Sequence, residues 1–450
     1  MNRILSFFVV FLTLLSCRSD DFGSGEHTLQ PVKFTVSAKY DASLNSTIGK
    51  NVTVLLTNSN TGDTYTQNTN DSGEAVFANV IPGNYKVTAT KKMDKNEFSA
   101  NFGFEPNTTE VSFNGIQENV TVNANISSAA VELKAARIGD LVIKQIHYAG
   151  SHITQGAGLR DQFIEIYNNS NEVIYADGLY IAQLYGKTNT TVSSFTQANG
   201  QFDWSKSLGM TLGNAANTNF VYADYVIQIP GNGTQYPIQP GESIVIAQTG
   251  VNHKAPLTDN GGNPVNVQNP DLTIDLSGAD FEVYLGTFRE SIGEDIYRYD
   301  IQNPAVKDMN IAYWGIPGYY SNNKDLIFDT LGRDSFAILR SNNFATYPTF
   351  TDPSVTSVTS SSRYFKQIPV ADIIDGVELQ HYNPSSNRPK ILGSDIDAGS
   401  INTDAAYISQ SVMRKTKTTM SNGRKVLEDT NNSSNDFVKF TKALPKAFAP

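Results

Sequence analysis

Short segments in which apolar and polar residues alternate recur along most of this 450-residue chain. Alternation with a period of two is typical of β-strands with one buried face, and clusters of Asn, Asp, Gly and Pro separate the segments. The clearest example lies at residues 161–182, where the apolar segment 163–167 precedes an Asn-rich turn at 168–171 and returning segments at 173–175 and 179–181. The pattern predicts a β-hairpin there and an all-β fold for the whole chain.

An N-terminal unit is predicted at residues 30–127, where alternating segments, including 98–102, continue to a closing strand. A type II turn is expected at Pro82 and Gly83, because proline presets φ and glycine accepts a positive φ. The residues of the motif around this turn are Thr69, Asn70, Gly73, Phe77, Asn79, Val80, Pro82, Gly83, Tyr85 and Val87. The motif resembles that of carboxypeptidase-regulatory domains, which implies a prealbumin-like (immunoglobulin-like) β-sandwich that acts as a spacer or adhesion unit without catalytic residues.

A second, larger unit is predicted at residues 137–450. Its characteristic segments are F-I-E-I-Y-N at 163–168, I-x-P-G-E-S-I-V-I-A at 238–247, S-V-x-R at 411–414 and D-T-N-N-S-x-x-D-F at 429–437. They resemble the signatures of lamin-tail-like domains. The resemblance implies a larger lamin-tail-like β-sandwich with long insertions, closed by the segment 411–437. A further strand is expected at 327–329.

The first 17 residues combine Arg3 with an apolar run that is too short to span a membrane, as in a secretory signal. Residues 14–17, Leu-Leu-Ser-Cys, resemble a bacterial lipobox, which implies lipidation of Cys17; the alternative is an ordinary signal peptide. The sequence that follows resembles the export signal of Bacteroidota surface lipoproteins at Ser19, Asp20, Asp21 and Phe22. Its alternative is a solvated acidic part of the flexible tether at 18–29.

Taken together, these features resemble an uncharacterised Bacteroidota surface lipoprotein family that combines a carboxypeptidase-regulatory/prealbumin-like domain with a lamin-tail-like domain. The resemblance implies an outer-membrane protein that is lipid-anchored and faces the extracellular side.

The net charge of −10 argues against nucleic acid as a partner. By contrast, residues 411–450 contain eight basic and three acidic residues. We interpret this basic tail as a solvated face, with polyanion binding as the alternative. Because Cys17 is the only cysteine, intrachain disulfides and cysteine metal clusters are excluded.

Calcium is the only cofactor for which the sequence offers a candidate site. The candidate ligands are the oxygen-bearing side chains Asp395, Asp397, Asn402 and Asp404. The spacing does not fit an EF-hand, so a turn stabilised by Asp and Asn is the favoured interpretation. A zinc site would require His147 or His152 to meet His253 and His381, which lie far away in sequence.

Aromatic residues in the predicted insertions are candidate ligand-binding groups, because flat rings can pack against sugars or peptides. They are Trp204, Tyr313, Trp314, Tyr319 and Tyr320. The alternative is that these side chains cover the core. The chain contains no G-x-S-x-G, Walker A or G-x-G-x-x-G sequence, so the usual marks of serine hydrolases and nucleotide-binding proteins are missing.

The leading hypothesis is a non-catalytic binding or assembly module at the cell surface. Its ligand would be a carbohydrate or a protein, and a surface glycan or an outer-membrane transporter is the expected partner besides the membrane itself. The alternative hypothesis is a hydrolase or metal-dependent enzyme whose site is built from the insertions at 186–224 and 250–330.

Overall fold

The computed structural model describes residues 30–41, 44, 48–102, 110–135, 141–170, 172–315 and 324–449. Strands dominate both parts of the chain, so the predicted all-β class is confirmed. The predicted leader and tether lie outside the described residues. No helix within the described ranges is long and apolar enough to cross a bilayer.

The N-terminal unit folds around a single core. Its elements are β1 (Val32–Tyr40), β2 (Thr53–Asn58), β3 (Thr64–Asn68), β4 (Glu74–Val80), β5 (Gly83–Asp94), α1 (Lys95–Phe102), β6 (Glu110–Val122) and β7 (Ser128–Ala135). The strands are hydrogen-bonded in the order β3-β2-β5-β6-β7-β1-β4, and β1 runs parallel to β7. Strand β7 therefore belongs to this unit, although the sequence analysis ends the unit at residue 127.

The segment predicted as a strand at 98–102 is helical, and this part of the prediction is wrong. The Asp94 carboxylate accepts a hydrogen bond from the backbone N–H of Glu97 at 2.8 Å, which caps the first turn of α1. Phe98 and Phe102 are four residues apart and therefore share one helical face, which packs on the core. The ring of Phe102 lies 5.1 Å from that of Tyr40.

The second unit contains the remaining elements. They are β8 (Leu141–His147), β9 (Phe163–Asn168), β10 (Ile174–Tyr175), β11 (Tyr180–Leu184), α2 (Ala215–Thr218), β12 (Phe220–Gln228), β13 (Pro237–Ile238), β14 (Ser243–Ala247), β15 (Leu257–Thr258), β16 (Pro264–Val265), β17 (Phe281–Glu282), α3 (Gly286–Ser291), β18 (Lys307–Asp308), β19 (Asn310–Tyr313), β20 (Ser335–Leu339), β21 (Thr349–Phe350), β22 (Phe365–Pro369), β23 (Ile373–Glu378), β24 (Ser411–Arg414), β25 (Thr416–Thr419), β26 (Lys425–Leu427), α4 (Ser433–Asp436) and β27 (Phe437–Phe440).

Two seven-stranded sheets form the sandwich of the second unit. One has the order β21-β22-β12-β11-β20-β23, with β19 paired to β12, and the other has the order β18-β17-β14-β9-β8-β24-β27. The main core lies between them: Ile164 and Ile246 from the second sheet pack with Ile227 and Ile338 from the first. Burial of such a continuous apolar layer is the main stabilising contribution to a sandwich.

The predicted hairpin at 161–182 does not form. Strand β9 pairs with β8 on one edge and β14 on the other, so it has no free edge for the returning segment. That segment instead crosses to the other sheet, where β11 lies between β12 and β20. The buried Asp177 fixes the crossing, because its carboxylate accepts hydrogen bonds from the backbone N–H groups of Gln235 and Tyr236 at 2.9 and 2.8 Å.

The predicted closure by the segment 411–437 is confirmed. Strand β24 pairs antiparallel with β8, placing Val412 opposite Ile146, and its other edge pairs with β27. The strand expected at 327–329 is absent. The backbone N–H of Phe328 donates to the Gln162 side chain at 2.9 Å instead of to a neighbouring strand.

Residues 441–449, which we call the C-terminal strap, pack on the outer face of the β9-containing sheet. Ala443 and Ala449 are each only 2% exposed. The ring of Phe448 covers the ammonium of Lys144, with Nζ 3.8 Å from the ring centroid. Lys144 in turn forms a buried ion pair of 2.8 Å with Glu165. The interpretation of the whole C-terminal segment as a solvated face is therefore wrong.

Candidate functional site

The selected aromatic side chains that the structure describes, Trp204, Tyr313 and Trp314, do not form an exposed face. Trp204 and Trp314 are 5% and 2% exposed. Trp204 stacks on Tyr222 with a centroid distance of 3.6 Å, and the hydroxyl of Tyr313 donates to the backbone carbonyl of Tyr364 at 2.7 Å. These three residues therefore cover the core, and Tyr319 and Tyr320 lie outside the described residues.

The candidate calcium ligands have separate partners within the protein. The carboxylate of Asp397 is fully buried and accepts hydrogen bonds from the backbone N–H groups of Glu378, Gly399 and Ser433 at 2.7–2.8 Å. Asp404 pairs with Lys439 at 2.7 Å, and the Asn402 amide donates to the carbonyl of His381 at 3.1 Å. Asp395 is half-buried, and its backbone carbonyl accepts from the side chain of Asn431. The interpretation of this segment as a turn stabilised by Asp and Asn fits Asp397, because its carboxylate oxygens accept hydrogen bonds from backbone N–H groups.

The structure brings two of the histidines near one carboxylate. His147 Nε2 lies 3.7 Å from an Asp161 oxygen, and burial lowers the pKa of His253, which also faces Asp161. His147 Nδ1 lies 2.8 Å from the carbonyl of Gln410, and His253 Nε2 lies 3.1 Å from that of Thr249. Within the described ranges, no three His, Cys, Asp or Glu side chains are grouped closely enough to hold a metal ion.

The insertion at 250–330 contains buried carboxylates whose proton affinity is unusual. Burial and the neighbouring Asp325 raise the pKa of Asp300 to about 9, and burial raises the pKa values of Asp325 and Glu282 to about 7. Asp300 accepts the N–H of Leu285 at 2.9 Å, and Asp325 accepts from Gln248 at 3.0 Å. Their visible role is to hold the insertion together.

These carboxylates predict that the protein is more stable at pH 5 than at pH 8. A carboxyl group with a raised pKa binds more protons in the folded state than in the unfolded state. The free energy of unfolding therefore falls as the pH rises from about 4 towards the pKa of the folded state. Each such group contributes up to about 1.4 kcal/mol per pH unit to this fall. Asp300→Asn keeps a hydrogen-bond acceptor for the backbone N–H of Leu285. The substitution should reduce the loss of stability between pH 5 and pH 8 by at least about 1 kcal/mol.

Urea unfolding of both proteins at the two pH values measures this effect. The exposed Asp271, in the same insertion, provides the matched control Asp271→Asn. Equal pH dependence in the Asp300→Asn and unsubstituted proteins would contradict the prediction.

A polar cavity lies between the two units, and we call it the interdomain cleft. Its floor is the outer face of three neighbouring strands, β2, β5 and β6. Thr53 is opposite Thr90, and Thr90 is opposite Asn114, so the three side chains form one row across the strands. They point away from the N-terminal core because their neighbours in sequence, such as Val54 and Ala89, point into it.

A second row on the floor is formed by Lys92 and Ser112, which are opposite each other on β5 and β6. The roof comes from the second unit and consists of Lys415, Glu428, Thr430 and Asn435. Contacts between described residues join floor and roof. The Asn114 amide donates to the Thr430 carbonyl at 2.7 Å, and Lys92 pairs with Glu428 at 2.9 Å.

The roof is held by the fully buried side chain of Arg414. Its guanidinium pairs with Asp375 at 2.6 Å, with Asp429 at 3.1 Å and with Asp436 at 3.5 Å, and its Nε donates to the carbonyl of Ile143 at 2.9 Å. These partners lie on β8, on β23, in the segment before α4 and at the last residue of α4. The arginine therefore ties the roof loop to both sheets of the sandwich.

The interdomain cleft has a volume of about 470 Å³, which is within the range of small-ligand sites. It opens at the exposed Asn51 and Thr53 and closes at Ser112 and Asn114, which are 3% and 2% exposed. The hydroxyl of Ser112 has no hydrogen-bond partner among the described residues. Buried hydroxyls are normally paired, so this group is available to a ligand or a water molecule at the closed end.

Comparison with known proteins relates the second unit to a family without an established function. Residues 239–444 match the family "Protein of unknown function (DUF4876)". The match includes all four roof residues and none of the floor. No curated protein matches the chain significantly.

The chain is also similar to a crystal structure of a DUF4876 family protein from Bacteroides thetaiotaomicron. The TM-score is 0.52 at 25% sequence identity, and the match covers 92% of this chain and 97% of that chain. A putative adhesin from Bacteroides ovatus matches at 12% identity over 61% of this chain and 83% of that chain, with a TM-score of 0.15 that is too low to indicate a common fold. The family match and the first structure support a relationship to an uncharacterised Bacteroidota family. The combination of carboxypeptidase-regulatory-like and lamin-tail-like domains stays a prediction.

Sequence reasoning missed the interdomain cleft completely. Thr53, Thr90 and Asn114 occupy the polar positions of alternating strands, and such positions normally face solvent. A weak signal existed on the roof, since Arg414, Asp429 and Asp436 belong to the signature segments at 411–414 and 429–437.

Proposed function

We propose that this protein is a non-catalytic binding module that holds a polar ligand in the interdomain cleft. The observation that carries the proposal is the unpaired hydroxyl of Ser112 at the closed end of a cavity that both units line. The row formed by Thr53, Thr90 and Asn114 offers hydroxyl and amide groups, which can donate and accept hydrogen bonds. A ligand that reaches the closed end could give the Ser112 hydroxyl the hydrogen-bond partner that buried polar groups normally have.

The chemistry of the lining favours binding over catalysis. Glu428 is the only carboxylate among the lining residues, and it is engaged by Lys92. The lining contains no His, Cys or Asp that could act with it as a nucleophile or general base. The alternative is an enzyme built from the insertions, but the described carboxylates Glu282, Asp300 and Asp325 already accept hydrogen bonds from groups of the protein.

Blocking the floor tests this function. We expect Thr90→Trp to fill the interdomain cleft and to weaken ligand binding at least tenfold, whereas Thr66→Trp on the exposed face of β3 should leave it unchanged. The measurement is binding of the unsubstituted protein and both variants to an array of defined oligosaccharides and peptides. The proposal fails if the unsubstituted protein binds no member, or if Thr90→Trp binds as the unsubstituted protein does.

We further propose that the binding module is held at the outer membrane by a lipid on Cys17 and faces the outside of the cell. The lipobox-like residues 14–17 and the export-signal-like residues 19–22 support this proposal. A partnership with an outer-membrane transporter stays a prediction.

Cys17→Ser should move the protein from the membrane fraction to the soluble fraction, because serine cannot carry the lipid thioether. Ser16→Ala keeps a small residue before the cysteine and should remain membrane-bound. Fractionation of cells expressing each variant, with detection of the protein by immunoblot, measures the outcome. Recovery of Cys17→Ser in the membrane at the unsubstituted level would rule out this anchor.

A further inference from the structure

The charges around the interdomain cleft restrict the chemistry of its ligand. The chain carries a net charge of −10, yet the charged side chains that face the cleft are two lysines, Lys92 and Lys415, and one carboxylate, Glu428. The side chains that face the cleft therefore carry one positive charge in excess, although the protein as a whole is acidic. Such a reversal attracts an anionic group into the cleft.

One of the two lysines is neutralised by a carboxylate of the protein, because Lys92 pairs with Glu428 at 2.9 Å. The neighbouring Lys91 points to the opposite face of β5, where it pairs with Glu97. The ammonium of Lys415 donates to the backbone carbonyl of Asn435, and among the described residues it has no carboxylate partner. The roof thus presents one cation whose charge is not balanced by the protein.

The floor supplies neutral polar groups to the lining. Thr53, Thr90 and Asn114 form a row across three strands, and Ser112 adds an unpaired hydroxyl at the closed end. Hydroxyl and amide groups both donate and accept, as the hydroxyl groups of a sugar ring do. A polynucleotide would bring many charges against one unbalanced cation, so its chemistry fits this cleft poorly.

We infer that the ligand of the interdomain cleft is an acidic saccharide. Its anionic group lies near Lys415, and its ring hydroxyls lie along the row of Thr53, Thr90 and Asn114 and reach Ser112. This inference rests on the proposed function, because it assigns a ligand class to the same cleft.

The test compares two trisaccharides that differ in one group only. One contains a single uronic acid residue, and the other is its counterpart with that carboxylate reduced to a primary alcohol. Isothermal titration calorimetry with the full mature chain should show at least about tenfold tighter binding of the acidic trisaccharide, the usual size of one charged hydrogen bond. Equal affinities, tighter binding of the neutral sugar, or no binding of either would overturn the inference.

Substitution of Lys415 tests whether the preference for the acidic trisaccharide depends on the roof of the cleft. Lys415→Met should abolish the preference for the acidic trisaccharide, and Lys415→Arg should retain most of it. Lys417→Met, at an exposed position two residues further on, is the matched control and should bind as the unsubstituted protein does. Melting temperatures of the three variants establish that each is folded. Retention of the preference by a folded Lys415→Met variant would overturn the inference.

The two proposals fail in different ways. If a peptide or a neutral sugar on the array binds and Thr90→Trp prevents this binding, the cleft is a binding site but its assignment to an acidic saccharide is wrong. If the acidic trisaccharide binds equally well to Thr90→Trp and to the unsubstituted protein, the cleft is not its site and both proposals are wrong.

Discussion

Arg414→Met is expected to lower the free energy of unfolding of the second unit by about 3–5 kcal/mol. The substitution removes a buried cation and leaves Asp375, Asp429 and Asp436 close together without their common partner. Buried carboxylates in that position must either take up protons or rearrange, and both responses cost stability. The same substitution should abolish ligand binding, because the carboxylates that it releases hold the roof of the interdomain cleft.

Urea unfolding at neutral pH, followed by tryptophan fluorescence, measures the loss, since Trp204 and Trp314 both lie in the second unit. Arg333→Met is the matched control. Arg333 pairs with Asp329 at the surface with its side chain 40% exposed, and exposed ion pairs contribute at most about 1 kcal/mol. A loss below about 1 kcal/mol in Arg414→Met would contradict the role assigned to the ion network.

A chain that ends at Lys442 is expected to lose roughly 2–4 kcal/mol of stability, because it lacks most of the C-terminal strap. The deletion removes the buried Ala443 and Ala449 and the ring of Phe448. It also uncovers the ion pair of Lys144 and Glu165, whose second carboxylate oxygen accepts the backbone N–H of Lys446 at 3.2 Å.

Thermal unfolding of the truncated and full-length proteins provides the measurement. Leu444→Ser is the control within the strap, since Leu444 is 56% exposed and its replacement should change little. Phe448→Ala alone should reproduce a substantial part of the loss. An unchanged melting temperature for the truncated chain would show that the strap is a dispensable tail.

The alternating pattern was sufficient to predict the fold class and several long-range features. Strand β24 could be assigned to the closure of the second sandwich because the segments 411–414 and 429–437 resemble known signatures. The order of the strands in the sheets was harder to predict from the sequence. Nothing in the local pattern at 161–182 reveals that β8 and β14 occupy both edges of β9, since those partners come from other parts of the chain.

The candidate site could not be predicted for a related reason. Whether Trp204 is exposed depends on Tyr222 and its neighbours, which lie in other segments, and periodicity at the site itself carries no such information. In the same way, the polar row on the floor looks like an ordinary solvent-facing surface until the roof covers it. Only Asp397 was selected from sequence on grounds close to its actual role, because turn-stabilising carboxylates have a local signal.

The separation in sequence between Arg414 and its partners determines when, during synthesis of the chain, the cleft can form. Arg414 and the carbonyl of Ile143 that it binds are 271 residues apart in sequence. Closing so long a loop is slow, and protein chains fold domain by domain from the N-terminus as they are delivered. The floor can therefore form early, while the roof forms only after nearly the whole chain has emerged. Ligand binding consequently requires synthesis as far as the roof residues, and we expect chains that end before residue 411 to display the floor without binding.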